Sequence, residues 1–335
     1  MDTHTHPRIP TSMTTILRAS FVAAFATFLG LAPCAFAQDY PSKPLRIVVP
    51  YAAGGGADLL ARLVGTELGA RVKQPVVVEN QGGGSNTIGM RTVATAPKDG
   101  YTLGLATPVF VMTPSLMKAH PYDPLKDFVP VAMIGFTPLV LCVHPSVPAK
   151  TVAEFVALGK AKPGSLNFAS LGTSTTQGMA AYQFNSMTGI DAVEVIYKGS
   201  APGTLDLLAG NVQYMFNALP SMLPHIQSGK LRALGVSSAR PAAQLPDVPT
   251  IEPSVPGYRV VTWYSFVVPA GTPQAAIERL NHEIAAIVEN PDIRKKLAEQ
   301  GVEADAMTLP QLKKLYVDET AHWAQVIRDA KVKAQ

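Results

Sequence analysis

Residues 45–68, LRIVVPYAAGGGADLLARLVGTEL, constrain the fold more than any other stretch. A short branched run ends in proline, three glycines follow, and Leu60, Leu63, Val64 and Leu68 then recur at helical spacing. The run suits a buried strand, and the glycines permit a tight backbone turn. The apolar stripe requires a helix packed on a sheet. Asp58 lies where a carboxylate caps the free N–H groups of a helix start. The same device recurs downstream. PVVVEN at 75–80 reads as a second buried strand, GGGSNTIG follows it, and a helical stretch runs to about Ala96. DGYTLGLAT at 99–107 is a third strand. Strands and helices alternating over so short a span predict a parallel α/β sheet.

The pattern then changes. TPSLMKAHPYDPLKDFVPV is proline-rich and reads as irregular, and PLVLCVH at 138–144 as a strand. A second α/β set runs from about 140 to 260. It has a helix opened by Thr151 and Glu154, strands at LNFASLG, AVEVIYKG, VQYMFN and LRALGVSS, and helix stops at Gly189 and Gly210. VVTWYSFVVPAGTP at 260–273 returns as a strand of first-set character. The tail is helical. Thr272-Pro273 is the expected cap of one helix, with Ile277, Leu280, Ile284 and Ile287 as its stripe. Thr308-Leu309-Pro310 opens another, with Leu312, Leu315, Trp323 and Ile327 on its buried side.

The first 37 residues read as a leader. Arg8 and Arg18 precede the apolar run ASFVAAFATFLGLA, and AFA at 35–37 fits signal-peptidase cleavage after Ala37. Met13 is an alternative start. Pro33 beside Cys34 suits lipid attachment badly. Cys142 is then the only cysteine left, so no intramolecular disulfide forms, and the fold rests on a core that 47% hydrophobic residues can supply. The net charge of +4 is scattered, without the Lys/Arg runs of nucleic-acid binders.

Three turns, YAAGGGAD, QGGGSNT and SLGTSTTQG, each follow a strand and open a helix. Each offers unpaired N–H groups and small hydroxyls at the positive end of a helix dipole. Two lie in the first α/β set and one in the second, so a cleft between them can surround an anion from both sides. Other chemistries fit less well. Gly54, Gly56 and Glu79 partly match a dinucleotide fingerprint, but Leu59 stands where its third glycine belongs. No GxSxG occurs. His120, His144, His225, His282 and His322 are dispersed and match no metal spacing. No cofactor and no metal is expected.

Seven segments carry a family resemblance: YPSKPLRIVVPYAAGGGADLLARL, VVVENQGGGSNTIG, APKDGYTL, YDPLKDFVPVAMI, YKGSAPGTLDLLAGNVQYMF, LRALGVSSARPAAQLPDVPTI and FVVPAGTP. In this order, over nearly all of the chain after the leader, they resemble the Bug-type solute-binding proteins of tripartite tricarboxylate transporters. The resemblance implies an α/β, type II periplasmic-binding-protein fold. Two α/β domains, 38–139 plus 261–335 and 140–260, would be joined by strands crossing near 138–142 and 258–264. It implies a small carboxylate held in the interdomain cleft, a periplasmic monomer, membrane permease subunits as partners, and no catalysis. Carried over residue by residue, Tyr51, Ala53, Gly54, Gly55 and Asp58 match the first carboxylate loop, and Ser85, Asn86 and Thr87 the second glycine loop. Thr107 ends the third strand. Ser170, Gly172, Thr173, Ser174 and Gln177 match the helix-start loop of the second domain, and Tyr197, Lys198 and Gly199 a motif bordering the cleft. Tyr51, Gln177 and Asn217 depart from the common phenylalanine, histidine and aspartate. Together with the apolar TPVFVMTPSL these departures favour a dicarboxylate, aliphatic or aromatic. An exported hydrolase or oxidoreductase, or a receptor serving a sensor, are the alternatives.

Overall fold

The computed structural model describes residues 1–4 and 40–334. The expected cleavage site, and all but four residues of the leader, lie outside the described residues. Among those described, no helix is long and apolar enough to cross a membrane.

β1 (Leu45–Val49), β2 (Val76–Asn80) and β3 (Thr102–Ala106) pair in parallel with β1 central. α1 (Gly56–Val72) and α2 (Thr87–Ala94) connect them. β2 is not the buried strand expected. It forms the sheet edge, and Val77 is 50% exposed.

Thr113–Leu116, expected to be irregular, complete α3 (Pro108–Leu116). Pro114 has no N–H for the carbonyl of Phe110. The buried Tyr122 hydroxyl donates to that carbonyl instead, at 3.4 Å. β4 (Phe128–Val143) begins ten residues before the strand expected at Pro138 and contains Pro130 and Pro138. Register shifts between Pro130 and Ala132, and again between Met133 and Gly135, absorb the irregular hydrogen bonding near Pro130.

The remaining strands are β5 (Leu166–Ser170), β6 (Ala192–Ile196), β7 (Tyr214–Ala218), β8 (Arg232–Val236), β9 (Val261–Pro269) and β10 (Glu303–Ala304). The order is β2-β1-β3-β9-β4-β7-β5-β6, with β8 and β10 also on β4. Residues 128–138 of β4 pair with β9, and residues 139–143 with β7, so one strand serves both halves of the sheet. The return crossing lies at Val260. Ser237 ties the two crossings together: its N–H donates to Leu139 O at 2.9 Å, its hydroxyl donates to Val260 O, and its carbonyl accepts from Val260 N–H at 3.1 Å.

The second half carries α4 (Val152–Ala161), α5 (Thr176–Thr188), α6 (Ser200–Leu208) and α7 (Leu219–Gln227). The tail forms α8 (Gln274–Glu289), α9 (Pro291–Glu299) and α10 (Leu309–Asp329). The predicted stripe of α8 is buried. Thr272 does not cap α8. Its hydroxyl closes a turn on Pro269 O at 2.8 Å, and the extended Pro273 is the cap residue. Thr308 and Gln311 form a capping box at α10, which packs on α3 and β4.

Candidate functional site

The carboxyl ends of β1, β3 and β5 converge on a cavity of about 200 Å³. Tyr51, Gly56, Ala57, Thr107 and Val109 line it from the first half, and Ser174, Thr175, Thr176 and Gln177 from the second. β9 adds Thr262 and Tyr264.

Two helix starts meet here. Gly56 and Ala57 are the first residues of α1, and Thr176 and Gln177 the first of α5. Their amides precede the first bonds of these helices, Leu59 N–H to Gly55 O (3.0 Å) and Met179 N–H to Thr175 O (3.1 Å). Free first-turn amides carry the positive end of the dipole, so the cavity is biased towards an anion from both sides. The two starts are built differently. At α5 the Thr175 hydroxyl accepts from Gly178 N–H (3.0 Å) and donates to Gly172 O (2.9 Å). At α1 the cap is Gly55, extended at φ −80°, with no side-chain bond.

Asp58 acts inside this loop. Its buried carboxylate accepts Gly54 N–H at 2.8 Å and pairs with Arg62 at 3.0 Å, which fixes Gly54 at φ +80°. Burial alone would push this carboxyl up. Hydrogen bonds from Arg62, Gly54 and Asn80 outweigh it and hold the group below the usual carboxylate range. A depressed carboxyl stabilises the fold above its unfolded value and loses that contribution as pH falls through the folded one. Asp58→Asn is therefore expected to lower stability near neutral pH and to flatten the acid limb below about pH 4. Thermal melts across that range are the check, and parallel acid limbs in both proteins would contradict the assignment.

The second loop is strained. Gly83, Gly84, Ser85 and Asn86 all have positive φ, at 114°, 55°, 53° and 73°. For the two non-glycines this costs about 1–3 kcal/mol each, a load that ligand clamps commonly carry. Ser85 meets Thr173 and Ser174 across a crevice of about 10 Å³, room for at most one water. Tyr51 and Thr107 share a 2.5 Å hydroxyl contact. Burial raises the Tyr51 phenol well above its ordinary value, against the bonds with Thr107 and Asn86.

Of the residues expected to bind ligand, Tyr51, Thr107, Ser174 and Gln177 line the cavity together. Ala53, Gly54 and Gly55 form the exposed turn before it. Ser170, Gly172 and Thr87 serve their own loops: Ser170 Oγ accepts Gly172 N–H, and the Thr87 hydroxyl donates to Gly84 O. Tyr197, Lys198, Gly199 and Asn217 are not in the lining. Lys198 and Gly199 are exposed at the end of β6. Tyr197 donates to Asp206 at 2.6 Å, and burial together with that carboxylate pushes its phenol up to about 12. The buried Asn217 spends its amide on Ser200 Oγ, at the start of α6, and on Ala218 N–H. Phe110, Val111 and Met112 turn into the core, so from the apolar TPVFVMTPSL only Thr107 and Val109 line the cavity.

Sequence reasoning missed Thr262 and Tyr264. The signal was their two-residue spacing as polar positions in an apolar strand. Thr262 Oγ1 is buried without a hydrogen-bond partner among the described residues. Burial raises the Tyr264 phenol, with a bond from Thr137 opposing. No cluster of three or more His, Cys, Asp or Glu side chains able to hold a metal occurs among the described residues.

The family model of the tripartite tricarboxylate transporter family receptor matches residues 60–332. Protein BugT of Bordetella pertussis is 34% identical over 326 residues, 96% of this chain and 99% of BugT. The solved structure of R. palustris Rpa4515 with adipate has a TM-score of 0.75 at 33% identity and covers 88% of this chain and 99% of that one. MatC from Rhodopseudomonas palustris with bound malate has a TM-score of 0.72 at 28% identity, over 86% of this chain and 100% of MatC. The architecture described above is that of the type II periplasmic binding proteins. Two further solved structures, at 35% and 29% identity, are a periplasmic transporter and the periplasmic binding protein BugD, so the family and its structural neighbours are solute-binding proteins.

Proposed function

This chain belongs to the tripartite tricarboxylate transporter receptor family, and we propose on that premise that it captures a small aliphatic dicarboxylate between its two lobes. It then delivers the ligand to the membrane permease of such a transporter. One observation carries the reading: the first residues of two helices, Gly56/Ala57 and Thr176/Gln177, line one cavity. The cavity is smaller than the usual 300–1,000 Å³ of a ligand site. Val109, Ala57 and the rings of Tyr51 and Tyr264 give it an apolar wall beside the amides and hydroxyls, and its small volume suits a short chain. The adipate and malate of the neighbours are ligands of this size class. We place the lobes at 38–139 plus 261–335 and at 140–260, with Ser237 holding their junction. Removal of residues 1–37 leaves a periplasmic monomer.

Thermal melts with adipate, malate and neutral sugars test this. A ligand at 100 times its dissociation constant adds about 2.7 kcal/mol, roughly 4 °C for a chain of this size. Stabilisation by sugars and by no carboxylate defeats the reading. Thr262→Val refines it. A hydroxyl that bonds a charged ligand contributes about 1.5–3 kcal/mol, so binding falls about tenfold or more. Stability in ligand-free buffer does not fall, because a buried hydroxyl without a partner contributes nothing to it.

A further inference from the structure

A larger cavity, of about 340 Å³, lies on the other side of the same crossing strand. Successive residues of a strand point to opposite faces. Thr262 and Tyr264 of β9 line the carboxylate cavity, while Val261 and Trp263 line this one. Phe136 of β4, and Leu315, Glu319, His322 and Trp323 of α10, complete much of its wall. It is therefore bounded by both crossing segments and by the tail helix.

Its chemistry is opposite to that of the carboxylate cavity. Asp305, Asp318 and Glu319 line it, against one basic residue, the exposed Arg259. Asp318 is paired with Lys314 at 2.5 Å. Asp305 and Glu319 form no ion pair among the described residues. Glu319 is nevertheless held in place: its carboxylate accepts the indole N–H of Trp263 at 3.1 Å and of Trp323 at 2.9 Å. His322 Nε2 is buried there without a partner. Met133, Met307 and Leu315 add apolar surface. The acidic groups do not converge as metal ligands do. A cavity lined by one carboxylate held in place, a second without a partner, aromatic rings and thioethers suits a cation with an apolar body.

We propose that this cavity is a second binding site, for an organic ammonium ion, on the reverse face of the strand that walls the carboxylate site. Asp305 and Glu319 supply the countercharge, and Phe136, Met133 and Met307 the apolar contact.

The chain contains two tryptophans, and both line this cavity with their N–H groups on Glu319. Intrinsic emission is therefore a local reporter. Benzylamine titrated into the purified protein is expected to change tryptophan emission saturably. Benzyl alcohol, its neutral counterpart, is expected to leave emission unchanged. Asp305→Asn, at a half-buried side chain with no hydrogen-bond partner among the described residues, is expected to weaken benzylamine binding at least about tenfold. Glu319→Gln keeps an oxygen for both indoles and gives a second variant with the same expectation. Circular dichroism melts on both variants verify that the remainder of the protein is folded. An emission unchanged by benzylamine overturns the proposal. So does an equal response to benzyl alcohol, or an affinity for benzylamine unaltered in both variants.

Discussion

Gly55→Asp is expected to weaken carboxylate binding about a thousandfold while leaving the fold intact or slightly more stable. Gly55 is the cap residue of α1, and its φ of −80° and ψ of 166° suit any L-residue. A Cβ there would meet nothing closer than Ala52 O at 3.6 Å. Aspartate is among the best residues at a helix cap, where its carboxylate accepts from first-turn amides. Those are the amides the ligand is proposed to use, so the side chain competes for them and also repels the anion. At about 4 Å and an effective dielectric near 20, the repulsion alone is on the order of 4 kcal/mol, which is about a thousandfold in affinity. Gly55→Ala controls for bulk and is expected to bind nearly as wild type. Calorimetry on both variants, with melts to verify folding, decides. A folded Gly55→Asp protein of unchanged affinity would reduce the glycine loop to a turn.

On the opposite lobe, Gly178→Ala is expected to lose both stability and binding. Gly178 lies in the first turn of α5, and a Cβ would overlap the carbonyl of Gly172. That carbonyl also accepts the Thr175 hydroxyl, and Thr175 in turn accepts Gly178 N–H. The methyl group therefore breaks the closed ring that presents Thr176 and Gln177 to the cavity. Overpacking of this kind costs about 1–3 kcal/mol, and more where the clash is with backbone. Loss of the α5 amides removes about half of the proposed anion contacts. Denaturant melts are expected to fall by that amount, and binding of the proposed carboxylate by about a hundredfold or more. A variant as stable and as tight as wild type would show that the 172–178 loop can re-form without this packing.

What could be read from sequence was what is local. The β1-turn-α1 unit needs only branched residues, three glycines and a helical stripe, all within 45–68, and it folds as read. The continuation of α3 through Pro114 was hidden, because the group that satisfies Phe110 O is the hydroxyl of Tyr122, outside the helix. The early start of β4 was hidden by Pro130, which argues against a central strand until the bulge beside it is seen. In the site, the loop residues were legible from glycine spacing, yet their division of labour was not. Asp58 reads as a cap of the helix's first N–H groups or as a ligand contact until its 2.8 Å bond from Gly54 N–H is visible. The spacing of Thr262 and Tyr264 marks one face of β9 as polar, but only the insertion of β9 beside β3 brings that face to Tyr51 and Thr107.

That insertion also fixes the order in which the molecule can be completed. β9 occupies the slot between β3 and β4, and pairs with both. The two strands that flank it lie far earlier in the chain, so they cannot share a ladder until residues 261–269 are present. Pairings of such long sequence separation must bear loop-closure entropy before any contact repays it, and they form slowly. A chain threaded through a membrane N-terminus first would thus arrive with its leading half still open, and would lock only when its last quarter followed.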